Sequence, residues 1–172
     1  ARRQRQMCIR DRKYAVSYLV NDDLTLYATQ AAGYRPGGNQ APLPPFCSSD
    51  EAAQANFSRR FNSDEAETTE FGVKARGENY SANVTYFDVD WDGIIIQVTP
   101  GCGWRYNFNG GKAETSGWEV DFTYAINDSV SLDFAGSSMT AETSIDIDSL
   151  GASAGDRLPN TVETQWNLGL VY

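Results

Sequence analysis

The sequence predicts an all-β protein, an antiparallel meander of about seven long strands that forms a segment of a transmembrane β-barrel. Three observations predict it. Tight turns at Asn21-Asp22-Asp23, Gly77-Glu78-Asn79 and Asn127-Asp128 alternate with long connections near 34–66, 93–111 and 140–157. One end of the sheet then carries only turns and the other all the elaboration, as in a barrel with short periplasmic turns and longer outer loops. The strands alternate apolar and polar residues over about ten positions, which suits a tilted membrane crossing and exceeds the usual soluble strand. Aromatic residues recur near strand ends, where an interfacial girdle belongs.

The first strand covers 14–20, with Tyr14, Val16, Tyr18 and Val20 on one face. A second runs from 24 to 33. The segment 34–66 holds Pro36, Pro42, Pro44 and Pro45, which forbid a central strand, so it reads as loop with a short helical turn at 51–56. A third strand, 67–76, sets Phe71, Val73 and Ala75 on one face. The fourth starts at Tyr80 with Ala82, Val84 and Tyr86 apolar, then slips phase to Phe87, Val89 and Trp91; a bulge near 86–87 is expected. Ile94 to Val98 continue it beyond a bend. The fifth is the cleanest: Trp118, Val120, Phe122, Tyr124 and Ile126 face lipid, with Glu119 and Asp121 on the lumen side. Val130, Leu132 and Phe134 oppose Asp133 in the sixth. In the seventh, Trp166, Leu168 and Leu170 face lipid while Glu163 and Gln165 face the lumen. Seven is odd, and bacterial single-chain barrels close with an even number, so the chain reads as a piece of a larger barrel.

The net charge of -9 is unevenly spread. Residues 1–13 carry six of the 14 basic residues, leaving 14–172 strongly acidic. That excludes a nucleic-acid partner for the body of the protein. The leading stretch 1–13 is a disordered or foreign basic extension; its Gln6-Met7-Cys8-Ile9-Arg10-Asp11-Arg12 run looks like translated adapter sequence. No apolar run approaches the length of a membrane helix. With no His and three scattered Cys, common catalytic triads and zinc sites drop out. Cys47 and Cys102 fall in long loops at the same end, so an exposed disulfide fits an oxidising compartment, and the Cα separation decides it.

At Gly33-Tyr34-Arg35-Pro36-Gly37-Gly38-Asn39 the chain resembles the TonB-dependent outer-membrane receptors, many of which end a barrel strand with an aromatic-Arg-Pro-Gly-Gly segment. The similarity continues through Glu70-Phe71-Gly72-Val73-Lys74, the strand from Tyr86 to Gln97, Gly111-Lys112-Ala113-Glu114, Gly117-Trp118-Glu119 and Gly155-Asp156-Arg157-Leu158-Pro159-Asn160. It covers about 14–172. The resemblance implies a 22-stranded barrel around an N-terminal plug in the outer membrane of a Gram-negative bacterium. It also implies energy from a TonB-ExbB-ExbD complex reached through that plug, and a scarce solute, most often a ferric siderophore. This chain departs from the pattern in showing no plug, no TonB-binding box and too few strands, and Val162 stands where a proline is common. It reads as an internal part of the barrel, with Tyr172 either a truncation point or a C-terminal assembly signal.

The ligand candidates are Arg35, Arg59, Arg60, Trp104, Arg105 and Tyr106, cationic and aromatic groups in or beside the outer loops. Asp88, Asp90 and Asp92 before Gly93 match the opening of a calcium loop, but Thr99 stands where the bidentate Glu belongs, so they read as a solvated rim. Glu119, Asp121, Asp133 and Glu163 in a wide, wet lumen lack the desolvation a hydrolytic carboxylate pair requires; no catalytic residue, metal or cofactor is expected. The competing reading is a soluble carbohydrate-binding sandwich with Trp118, Phe122, Phe134, Trp166 and Leu168 buried between two sheets.

Overall fold

The computed structural model describes residues 12–147 and 151–172. Nine strands form along these residues: β1 (Arg12–Asn21), β2 (Leu24–Arg35), β3 (Gly38–Asn39), β4 (Arg60–Phe61), β5 (Asp64–Arg76), β6 (Tyr80–Val98), β7 (Tyr106–Asn127), β8 (Val130–Thr143) and β9 (Thr164–Val171). Seven of them make one antiparallel sheet in the order β1-β2-β5-β6-β7-β8-β9, so each long strand lies beside the next in sequence. The short β3 and β4 pair separately within the connection from β2 to β5. The leading extension through residue 11 lies outside the described residues. Arg12 and Lys13, assigned to it from the sequence, instead open β1 opposite Ala32 and Ala31.

The tight turns are built from their own side chains. The Asn21 carboxamide oxygen accepts from the Asp23 N–H at 2.9 Å, and Asn127 does the same for Ser129 at 2.9 Å. Such Asx turns reverse the chain in the fewest residues. At the third turn the Gly77 N–H donates to the Tyr80 carbonyl at 2.9 Å.

Cross-strand register sorts the side chains onto two faces. Tyr86 stands opposite both Phe71 and Trp118, and Trp118 opposite Ser138. Val120, Phe122 and Tyr124 follow on the same face, joined across β8 by Trp166, Leu168 and Leu170. This face is exposed: Trp118 by 54%, Leu168 by 58% and Trp166 by 70%. A single sheet with these side chains turned outward replaces the buried inter-sheet core that the soluble-sandwich reading requires. The buried apolar residues Cys47, Ala53, Tyr106, Ala113, Ala141 and Ile147 lie in the loops or toward the loop ends of the strands.

Two expectations need correction. No bulge occurs at 86–87: the β6–β7 register is continuous from Tyr80 opposite Tyr124 to Asp92 opposite Lys112. The apolar phase inverts because the surroundings change along one unbroken strand. Tyr86 shares the outer face with Trp118, whereas Phe87, Val89 and Trp91 turn to the opposite face. The register shift comes later, between Asp92 and Ile95, around Gly93 at φ 63°. The second correction concerns length. The sequence places a loop at 93–111, but pairing continues to Val98 opposite Tyr106, leaving 99–105 as the connection.

Beyond the apolar band the outer face becomes acidic. Glu67, Asp90, Glu114 and Glu142 stand directly opposite one another across four strands, and Arg157 closes the row beside Glu142. Asp88, Asp90 and Asp92 therefore lie along an extended strand, opposite Thr69, Glu67 and Glu65, and do not wrap around a common centre.

On the inner face the Tyr27 ring lies across Gly72, where a methyl group would overlap it. The Tyr27 hydroxyl shares a 2.6 Å hydrogen bond with the Thr85 hydroxyl, and Lys74 Nζ sits 5.0 Å from the ring centroid. Gly72→Ala is expected to destabilise the sheet by about 1–3 kcal/mol by displacing the ring. Urea unfolding in vesicles checks this against Gly72→Ala placed on Tyr27→Ala, where most of the cost should vanish. An undiminished cost there would refute the packing explanation.

Candidate functional site

The outer loops form a connected layer above the sheet. After the prolines, a 3₁₀ turn (Pro45–Cys47) leads to α1 (Glu51–Asn56). Asp50 caps this helix: one carboxylate oxygen accepts from the Ala53 N–H at 3.0 Å. Its other oxygen accepts from the Cys102 N–H at 2.8 Å, in the connection between β6 and β7. The hydrogen bond from Ala53, then that from Cys102, holds the Asp50 carboxyl below its ordinary pKa. Beside it a disulfide joins Cys47 to Cys102, with Cα atoms 5.3 Å apart.

Two side-chain amides stitch the layer to β7 by imitating strand pairing. Gln40 donates to the Asn107 carbonyl at 2.7 Å and accepts from the Asn107 N–H at 2.8 Å. Asn109 does the same with Asn62, at 3.0 and 2.7 Å, and also donates to the Gly93 carbonyl at 2.7 Å. Asp64 forms a third joint. It is 2% exposed, accepts from the backbone N–H groups of Arg35 and Ile95, and is ion-paired to the Arg35 guanidinium. The register shift at Gly93 turns the Ile95 N–H toward this carboxylate. Burial pushes the Asp64 pKa up, but the hydrogen bonds from Arg35 and Ile95 outweigh it and hold the carboxyl below its ordinary value.

The predicted ligand residues divide. Arg35 is committed to Asp64, with its guanidinium 4.8 Å from the Trp91 ring centroid. Tyr106 is a packing residue, 3% exposed, with its ring edge-on to Phe57 at 5.5 Å and its hydroxyl donating to the Ala52 carbonyl at 3.3 Å. Burial raises its pKa, and the Asp50 charge adds to the shift. That corrects its assignment as a ligand contact, because almost none of its surface reaches solvent. Arg59, Arg60 and Arg105 are exposed and Trp104 is half-buried. Gln40 draws their segments together: its N–H donates to the Arg59 carbonyl at 3.0 Å while its side chain holds Asn107.

Below the layer, Glu119, Asp121 and Gln165 line a groove of about 390 Å³ on the inner face. Asp133 shares that face and accepts from the Thr123 hydroxyl at 2.8 Å. Glu163 does not join the wall. It precedes β9 and pairs with Arg157 at 2.9 Å, captured by a cation of its own loop. Of the joints that sequence reading missed, only Asp50 carries a local signal, an acid just before a helix-forming run. Gln40, Asn109 and Asp64 act across long separations that leave no pattern.

The polar inner wall, the apolar outer band and the loop layer at one end together describe a section of barrel wall. The sequence matches the family described as TonB dependent receptor-like, beta-barrel, over residues 13–172. The chain belongs to that family. TonB-dependent receptors are proteins of the Gram-negative outer membrane that transport and do not catalyse. Solved structures share the fold. The ferric yersiniabactin uptake receptor FyuA of Yersinia pestis matches with a TM-score of 0.71 and 19% identity over 92% of this chain and 22% of its own. The ferric-catecholate import receptor Fiu of E. coli K12 gives 0.62 and 21% over 92% and 21%. The copper transporter OprC gives 0.65 and 15% over 92% and 23%. The chain thus spans about a fifth of the length of these receptors.

Proposed function

We propose that this chain supplies part of the barrel wall and a clasped part of the outer loop layer of a receptor that imports a scarce solute, and that the solute is a ferric siderophore. The family match along residues 13–172 carries the reading. Two of the three receptors above are named for iron uptake or import and one for copper, which makes copper the second reading. Exposed Arg59, Arg60 and Arg105, with Trp104 nearby in sequence, offer charge and an aromatic face to an anionic iron chelate. Trp118, Val120, Phe122, Tyr124, Trp166, Leu168 and Leu170 face outer-membrane lipids, and Glu119, Asp121, Asp133 and Gln165 face the lumen. The whole receptor draws energy from TonB-ExbB-ExbD through its plug.

The test is uptake of radiolabelled ferric siderophores by cells expressing the complete receptor, with and without TonB. The combined change Arg59→Glu, Arg60→Glu and Arg105→Glu is expected to weaken binding about tenfold or more, which is about 1.4 kcal/mol. TonB-dependent iron uptake that ignores all three reversals would remove these residues from the site. TonB-dependent copper uptake without iron uptake would move the solute to the second reading.

A further inference from the structure

We propose that the groove over Gly136, on the outer face of β8, seats one saturated acyl chain of a lipid in the loop-side leaflet. This rests on the reading of the sheet as barrel wall. Along that face of β8 the residues are Leu132, Phe134, Gly136 and Ser138. Every neighbour of Gly136 is larger: Val120 stands opposite on β7 and Trp166 on β9, with Phe134 below. The missing side chain leaves a groove of about 450 Å³ whose lining is almost wholly apolar, walled by Trp118, Val120, Phe134 and Trp166. All the walls come from three consecutive strands of this chain, so the groove is complete without further strands.

Its direction and its ends suit a lipid tail. The groove follows β8, and strands of a barrel cross the bilayer as acyl chains do, though tilted. Counted from the turn at Asn127, Gly136 and Ser138 fall in the last third of a crossing of about ten residues, within the loop-side leaflet. The apolar lining stops at Ser138 and Thr164, whose hydroxyls lie 3.4 Å apart. Beyond come Ser116 and Thr140, then the acidic row. A tail would lie on Gly136 with its polar end at the hydroxyl step, between exposed indole rings of the kind that anchor at the interface.

Glycine is required for this shape. A Cβ at position 136 would stand 3.0 Å from the Phe134 ring and fill the floor. A glycine weakens a strand interior and often marks close approach of another group. Lipid tails are as apolar as the groove, so the hydrophobic effect supplies no preference here. The gain is dispersion contact with walls that would otherwise face a gap. A straight groove fits an extended saturated chain better than a kinked one.

The test uses the complete receptor in outer membranes supplied with a phospholipid bearing a mid-chain diazirine, followed by photolysis and mapping of adducts. Adducts per exposed residue are expected to be about threefold or more enriched at Val120, Trp118 and Trp166 over Phe71 and Leu26 on the same face. Unlabelled dimyristoyl lipid should compete better there than dioleoyl lipid, and Gly136→Leu should flatten the enrichment. Uniform adducts along the whole face would overturn the groove while leaving the wall in lipid. Adducts missing from the whole face would overturn the barrel-wall reading and the groove together. Enrichment that disappears as receptor density rises would assign the groove to a second copy of the chain and overturn the proposal. The wild-type ratio decides by itself should Gly136→Leu not assemble.

Discussion

Replacing Cys47 and Cys102 together by serine is expected to lower the unfolding free energy by about 4 kcal/mol, the loop-entropy value for a bridge of this length. The bridge closes a separation of 55 residues, which spans the helix, β5, β6 and the turn between them. The folded layer itself should persist in the variant. Asp50 still holds the Cys102 N–H, and Gln40 and Asn109 still pair with the backbone across the layer. What changes is the unfolded chain, which regains the freedom the bridge denied it. Urea unfolding of the complete receptor in vesicles, with and without reductant, measures the difference. Reductant should lower the midpoint of the wild type and leave the double variant unmoved. A loss below about 1 kcal/mol would mean the amide joints alone hold the layer and the bridge adds little.

Asp64→Ala is expected to cost about 2–4 kcal/mol, concentrated in the loop layer, because the N–H groups of Arg35 and Ile95 lose a buried acceptor. The Arg35 guanidinium is half-exposed and finds water, so its lost partner adds little. Asp64→Asn keeps the size and one acceptor and should cost less. The same carboxylate gives an acid limb. Its folded pKa lies below the ordinary 3.8, so its stabilisation is complete above that pH. The contribution fades as an unfolded aspartate would take up its proton and is lost as the pH falls through the lower folded value. Amide exchange across 93–109, followed against pH, reads both effects. Protection at Ile95 that survives Asp64→Ala would show that another group holds the bulge.

The long strands were legible because their two faces meet different media. Trp118 to Ile126 alternate without a break, and Asn21 and Asn127 announce their turns by chemistry confined to two or three residues. Legibility fails where β6 and β7 leave the apolar band. Phe87, Val89 and Trp91 keep the strand's period but belong to the face opposite Tyr86, so a change of medium imitates a change of register. The residues from Tyr106 to Lys112 include asparagine and glycine with little preference for a strand. They are held there by Gln40 and Asn62, 67 and 47 residues from their partners. In the site, the exposed arginines Arg59, Arg60 and Arg105 could be placed in loops from composition alone. The burial of Tyr106, the capture of Glu163 by Arg157 and the commitment of Arg35 to Asp64 depend on which loops meet, and only the fold decides that.

The carboxylate row from Glu67 to Glu142 gives the wall a mixed character. Like charges set directly opposite one another weaken strand pairing, and dissolved ions relieve the repulsion when the groups are exposed to water. The part of the sheet sunk in hydrocarbon has no such sensitivity. The same strands therefore form a lower section indifferent to the brine outside the cell and an upper section whose cohesion rises and falls with it.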